Sequence, residues 1–382
     1  MRGDEFDVLV IGEGVSGITA AAAACQQGAR VMLVSKGPGS FVLGTACVDL
    51  EGLNESAREL CHCSASEIET AIGFFLDLTA AAGCAYEGGV RERRLVPTIM
   101  GTFAEVSLAS RQLWKGDPRG AGHAMVVGVE NMFAFDADFV AERLSAHSEE
   151  IGLTTSYRSA VIRLPQIQNQ RWLTSLEIAS EVDRNVAYCQ ALVAALKSVA
   201  GDADLLIIPG VLGLNSDDDD IRHIEDEIEC GICELATMPP SVPGLRLLRR
   251  MESYLAANGV EICTGFSVQK LCIDSDHCTG VVLDTPGKPR TVHAGTVVLA
   301  AGRFSNLLLD CAAEGPASDL LPRVSEDLRP VSSNGAVLAD NIFECGSLLG
   351  KFESRHGNAI AIISGYQAGM LVCQRGVHYA KS

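Results

Sequence analysis

Arg355 and His356 stand side by side near the C-terminal end of the chain, and of all its residues they are the pair best suited to proton chemistry on a charged substrate. Imidazole titrates near neutrality, so His356 can take a hydroxyl proton as a hydride leaves the neighbouring carbon. The planar guanidinium of Arg355 can hold an anionic substrate or developing negative charge. The competing reading is that both residues only close a loop. Cys230 and Cys233 form CGIC, the spacing of a redox dithiol or of half a metal site, yet no second CxxC accompanies it. Cys61, His62 and Cys63 are too close in sequence to share a tetrahedral ion, and buried thiols serve readily as small hydrophobes, so no metal is expected. The DDDD run at 217–220 reads as the cap of a helix starting near Ile221 rather than as a cation site. Arg249 and Arg250 either bind a substrate phosphate or occupy a surface face.

These groups need a scaffold, and the clearest one begins at residue 6. Residues 6–11 read as a buried strand, Gly12, Gly14 and Gly17 give GxGxxG around Ser16, residues 18–27 form an Ala-rich helix ended by Gly28, and 31–34 a second strand. Gly12 suits a tight turn, Gly14 lets backbone approach a pyrophosphate, and Gly17 lets helix pack on strand; the helix N-terminus then faces the phosphates. A carboxylate for the adenosine ribose ordinarily follows the second strand, and here Ser35 and Lys36 take its place. Ser35 can still bond a ribose hydroxyl, whereas Lys36 favours a phosphate. Gly44 and Thr45, just beyond, are further candidate cofactor contacts.

The C-terminal third supplies the rest of the same domain. Segments 260–264, 266–273, 280–283 and 291–293 read as short strands, and TVVLAAG at 296–302 as a buried strand that brings Ala301 and Gly302 beside a ligand. NIFECGSLLG at 341–350 adds a strand and a turn through Gly346 and Ser347, before an apolar helix over 359–372 with Gly365 and Gly369. The expected fold is α/β: a Rossmann-like FAD/NAD(P)-binding domain made of residues 1–85 and 256–382, split by an inserted α/β capping domain over 86–255.

Composition narrows the partners. The chain has 382 residues, 47% of them hydrophobic and 20% charged, which is a globular composition able to bury a sizeable core. A net charge of -18 argues against nucleic acid or anionic lipid as the main partner. The apolar runs fall short of the roughly 20 residues a membrane helix needs, and the start lacks a signal peptide's basic region, so a cytoplasmic location is expected. The 14 cysteines are scattered without a framework, as reduced thiols would be.

Taken together, VIGEGVSGITAA, LATMPPSVPGLRL at 235–247, VVLAAGRFS at 297–305 and NIFECGSLLG resemble the B subunits of the anaerobic glycerol-3-phosphate dehydrogenases. The glycine motifs are shared by many flavoproteins; the run through Pro239, Pro240, Ser241, Val242, Gly244, Leu245 and Arg246 is narrower. The resemblance implies a flavin, FAD or FMN, seated between the glycine turn and the last helix, with the inserted domain over it. It also implies a catalytic partner subunit with its own FAD and a cysteine-rich iron–sulfur subunit that anchors the complex at the inner face of the membrane and passes electrons to quinone. The activity implied is oxidation of sn-glycerol 3-phosphate to dihydroxyacetone phosphate, or relay of its electrons. The chain departs from the family at Ser354, Arg355, His356, Gly357 and Asn358, where the family is richer in glycine. Two other expectations stand beside this one: a fumarate-reductase-like flavoenzyme acting alone on a small organic acid, and a non-catalytic assembly subunit that has lost its flavin.

Overall fold

The computed structural model describes residues 5–120, 122–167, 172–302, 323–331, 335–350 and 352–376. Arg303, Phe304 and Ser305 of the VVLAAGRFS segment lie outside them. The chain forms two compact units, one of Met1–Gly39, Leu50–Leu78 and Met251–Ser382, the other of Ser40–Asp49 and Thr79–Arg250.

The first unit is built on a seven-stranded sheet. Glu5–Glu13 lies between Val31–Pro38 and Arg290–Leu299, all parallel, with Glu261–Thr264 outside Val31–Pro38 and Ile342–Glu344 beside the end of Arg290–Leu299. An antiparallel pair, Ser267–Asp274 and His277–Asp284, completes the sheet. The strands expected separately at 291–293 and 296–302 are one, ending at Leu299, because pairing with Glu5–Glu13 runs unbroken from His293 past Gly295. The strand expected over 31–34 runs on to Pro38 because Glu13 pairs with Pro38 beyond an irregularity at Gly12.

One sheet face packs Leu9, Ile11, Met32, Val297, Leu299 and Ile342 into a single core. The Val15–Gln26 helix buries residues Val15 to Ala24 on every side, so its alanines have no solvent face to mark with charge. Its neighbour is the final helix, Gly357–Gly376. A Cβ on Gly365 would overlap the carbonyl of Ser16, and one on Gly369 would lie 2.5 Å from that of Ala20. The two glycines therefore let the helix backbones touch, a spacing that any larger side chain would open.

The second unit holds a four-stranded parallel sheet in the order Gly231–Leu235, Leu205–Pro209, His123–Val129, Ser156–Ile162. Leu205–Pro209 is buried at every position, as a central strand covered on both faces must be. The Ala137–Glu150 helix packs on one face through Val140, Ala141 and Leu144, and Val186–Ala200 and Asp218–Ile228 pack on the other through Leu192, Leu196, Ile221 and Ile228.

Candidate functional site

At the carboxyl end of the first unit's sheet the glycines do separate jobs. Gly12 has φ +113°, and a Cβ there would overlap the Ala300 carbonyl; a Cβ on Gly17 would overlap Gly12's own carbonyl oxygen. A Cβ on Gly14 would meet only the Gly39 Cα, at 3.7 Å. Gly14 is also the N-cap of the Val15–Gln26 helix, and no side chain caps it. By contrast Asp136, Thr174, Asn185 and Asp217 cap their helices with side-chain oxygens. The first turn of the cradle helix thus keeps its N–H groups and positive dipole end for an anion.

The other expected contacts of this unit converge there. Gly346, with φ +72°, sits against the N-terminal turn, where a Cβ would come 2.6 Å from Ser16 Oγ; its own N–H donates to Ser364 Oγ at 2.8 Å. Gly302, with φ +73°, lies beside Ser347, whose Oγ is 3.7 Å from the ideal Cβ position, and Ala301 precedes it, half-buried. Ser35 is buried, and its hydroxyl accepts the Gly37 N–H at 3.1 Å, while Lys36 is exposed. Gly44 and Thr45 fall in Ser40–Asp49, which groups with the second unit. Two residues escaped sequence reasoning. Glu13 is a buried carboxylate that accepts from Thr264 Oγ1 at 2.8 Å, and Gly39 lies directly on Gly14. The only signal for Gly39 was the GPG that ends the second strand.

His356 and Arg355 part company. His356 is 1% exposed, with Nε2 2.6 Å from the Glu51 carbonyl oxygen. A carbonyl only accepts, so Nε2 carries a proton toward it, and Nδ1 is buried with no hydrogen-bond partner. Arg355 is exposed and bridges the carboxylates of Glu353, at 2.7 Å, and Glu51, at 3.9 Å. Both carboxylate oxygens of Glu344, at the end of its strand, are likewise buried and unpartnered, and burial pushes its pKa from 4.5 up to about 8. Gln367, through Oε1, is a third residue with such an atom. Buried polar atoms are nearly always satisfied, so the orphaned atoms of Glu344, before the second glycine turn, and of His356 and Gln367, after it, stand out.

The thiols lack the environment of reactive cysteines. The free thiols of Cys61 and Cys63 share a hydrogen bond, which together with burial holds Cys61 protonated; burial pushes Cys345 up to about 12. Cys230 packs into the core on one face of the second unit's sheet and Cys233 into the core on the other, so CGIC does not bring its thiols together. Among the described residues no group of three His, Cys, Asp or Glu side chains is placed to hold a metal ion.

The acidic run acts as a cap. Asp217 and Asp220 form a reciprocal capping box at the start of Asp218–Ile228, and Asp218 turns inward to accept the Ala85 N–H at 2.7 Å. Arg250 is tied to the Ala82 carbonyl at 3.0 Å and to Asp217 at 3.3 Å, while Arg249 is exposed. The narrow PPSVPGLR run serves packing within the second unit. Ser241 N–H donates to the Val42 carbonyl at 2.7 Å, and the buried Arg246 grips Glu234 at 2.5 and 3.0 Å.

Residues 7–66 match the family described as FAD dependent oxidoreductase, and residues 242–322 the one described as FAD binding domain. The chain is a flavin-dependent oxidoreductase with a Rossmann-like fold, and the cradle fits the cofactor: an uncapped helix N-terminus at Gly14 with glycine turns around it. More particularly, it is similar to the probable anaerobic glycerol-3-phosphate dehydrogenase B subunit of Halobacterium salinarum, at 26% identity over 96% of this chain and 97% of that one. The anaerobic glycerol-3-phosphate dehydrogenase B subunits of Actinobacillus pleuropneumoniae and Pectobacterium carotovorum are 24% and 26% identical, each over 78% of this chain and 75% of theirs. A solved 3-ketosteroid Δ1-dehydrogenase from Sterolibacterium denitrificans aligns over 78% of this chain and 48% of its own, with 13% identity and a TM-score of 0.36. Among the described residues no helix is long and apolar enough to cross a membrane.

Proposed function

We propose that this chain is the flavin-bearing B subunit of a glycerol-3-phosphate dehydrogenase complex, oxidising sn-glycerol 3-phosphate to dihydroxyacetone phosphate or relaying its electrons. A second, FAD-containing subunit and an iron–sulfur subunit that passes electrons to quinone at the membrane's inner face would complete the complex. The observation that carries the reading is the uncapped N-terminus of Val15–Gln26 at Gly14, beside the glycine turns through Gly12 and Gly346; the names of the relatives support the complex.

When bound, the flavin supplies a two-electron acceptor. Backbone N–H groups of the first helical turn, from Val15 to Gly17, would hold its phosphate, with Gly12, Ser16, Ala301, Gly302, Gly346 and Ser347 shaping the space around it. His356 keeps a proton on Nε2 through the Glu51 carbonyl, which leaves Nδ1 as the atom able to take a hydroxyl proton from substrate. Arg355, beside the carboxylates of Glu51 and Glu353, is proposed as the anion-holding group. The 2.6 Å bond from His356 to Glu51 favours a second reading, in which the imidazole only pins that loop.

The purified full chain should be yellow and release a flavin whose mass gives its identity, and Gly14→Val should empty it by placing a branched side chain against the phosphate. Glycerol 3-phosphate should bleach the flavin anaerobically in the intact complex, which should copurify with an iron–sulfur subunit. A colourless wild-type chain, or a Gly14→Val chain with full flavin content, refutes the assignment.

A further inference from the structure

The Ser156–Ile162 strand closes one side of the second unit's sheet, and among the described residues no strand lies on its outer side. Its pairing with His123–Val129 runs from His123↔Ser156 to Val129↔Ile162 without a shift. The Ser156 N–H donates to the Gly122 carbonyl at 3.0 Å, and the Ile162 carbonyl accepts the Glu130 N–H at 2.9 Å, so the even-numbered residues bond inward. Backbone direction alternates along a strand, which leaves the N–H and C=O groups of Tyr157, Ser159 and Val161 pointing outward. Free edges are normally blunted by shortness, bulges, charge or a cover. Glu261–Thr264 has four residues, Ser267–Asp274 shifts register beside Lys270, and Gly231–Leu235 packs against the Arg111–Trp114 helix. Ser156–Ile162 is regular and free of proline, and its one charge, Arg158, is neutralised by Asp202.

The carboxyl end of this strand exposes large apolar side chains. Val161 is 57% exposed, Phe133 63% and Trp172 59%. The Phe133 N–H donates to the Leu173 carbonyl at 2.7 Å, which sets Phe133 beside Trp172, and the Glu130 bond ties their loop to the strand. Asn131 and Ala134, with φ +61° and +62°, flank Phe133 in the left-handed conformation that residues with a Cβ resist. Strain that holds an aromatic ring in water marks a contact surface. Charge beside the edge selects the partner. The Ala137–Glu150 helix packs on this strand and turns Val140, Ala141 and Leu144 to the core. Arg143 faces the turn at Gly101, whose hairpin covers the Leu205–Pro209 and Gly231–Leu235 side of the sheet. Asp138, Glu142 and Glu149 fall on the other side of the helix, above the free edge, and all three are exposed.

We propose that the outer edge of Ser156–Ile162 is a docking site for an extended segment of a different protein chain, one with lysine or arginine at alternate positions and an apolar residue at one end, added to the sheet as a further strand. Backbone bonds to Tyr157, Ser159 and Val161 fix its register. Its basic side chains meet the Asp138, Glu142 and Glu149 carboxylates, and its apolar residue packs on Val161, Phe133 and Trp172. A second copy of this chain is the poorer occupant, because each carries a net charge of -18 and would bring its own acidic stripe to the same edge. Every residue of this surface belongs to the second unit, so the inference holds whether or not the flavin reading does.

The test uses the full chain and two synthetic peptides, one alternating lysine with valine or threonine and ending in phenylalanine, the other with glutamate for every lysine. Trp172 reports binding, since the other tryptophan, Trp114, is buried. The lysine peptide should move Trp172 emission to the blue and slow amide exchange across 156–162, and the glutamate peptide should do neither. Affinity for the lysine peptide should fall about tenfold or more in Ser159→Pro, which removes an outward N–H, and in Asp138→Lys with Glu142→Lys, which reverses the stripe. No binding of the lysine peptide, or binding that leaves exchange across 156–162 unchanged, overturns the proposal. Equal binding of the glutamate peptide overturns the basic partner, as does a dimer in sedimentation that Ser159→Pro dissolves, which would give the edge to a second copy. If Ser159→Pro does not fold, the lysine pair and Val161→Lys decide, and wild-type affinity in both overturns the inference.

Discussion

Glu344→Gln exchanges a buried, unpartnered carboxyl for a neutral amide of the same shape, and its consequence is a change in how stability depends on pH. In the folded protein burial holds the Glu344 pKa at about 8, against 4.5 for the ordinary group. Between those values the folded state keeps a proton that the unfolded chain releases, so the folded state binds more protons and stability falls as pH rises. The slope is about 1.4 kcal/mol per pH unit, giving roughly 4 kcal/mol lost between pH 5 and pH 8. Below 4.5 the group contributes no such cost, and above 8 the loss is complete. Glutamine also buries an unsatisfied amide, an offset of about 1–3 kcal/mol that does not vary with pH, so the slope rather than the level is the readout. Urea denaturation of wild type and Glu344→Gln at pH 5, 6, 7 and 8, followed by circular dichroism, should show the variant gaining on wild type with each step. Parallel pH profiles would refute the reasoning, because they would mean that Glu344 is already paired or hydrated in the native state. The cysteine pKa values pushed up to about 11 or 12 stay outside this window and do not confuse it.

His356→Ala should lower turnover of the intact complex roughly a hundredfold with flavin content unchanged. His356→Gln separates the two readings, since glutamine can still donate to the Glu51 carbonyl but cannot act as the base; recovery of the wild-type rate in that variant would assign His356 to holding the loop. Arg246→Ala leaves Glu234 as an uncompensated buried charge and should cost about 3–5 kcal/mol in urea denaturation, while the double change Arg246→Met with Glu234→Leu should recover most of it. A double variant as unstable as the single one would show that the pair contributes more than charge balance.

The parts of this protein that were legible in the sequence are those whose reasons lie within a few residues. Gly12, Gly14 and Gly17 answer to one turn and one helix start, and the buried strand before them and the alanine run after them are read from the same thirty residues. Asp217 caps a helix that begins at the next residue, and a buried central strand such as Leu205–Pro209 announces itself by an unbroken apolar run. The tertiary structure decided what depends on segments far apart. Gly39 is needed because Gly14 lies beneath it, and Gly365 and Gly369 because Ser16 and Ala20, some 349 positions earlier (365 − 16 and 369 − 20), press against them. CGIC looked like a dithiol until strand alternation sent its two thiols to opposite cores. Arg355 and His356, adjacent in sequence, diverge into an exposed guanidinium paired with the Glu353 and Glu51 carboxylates and an enclosed ring on the Glu51 carbonyl, because the short turn they share exposes one side chain and buries the other. Conformational preference and hydrophobic pattern act over one turn or one strand, so a sequence displays them directly. Close approach, burial and the pKa shifts that follow are properties of what folding packs alongside, which no local pattern encodes.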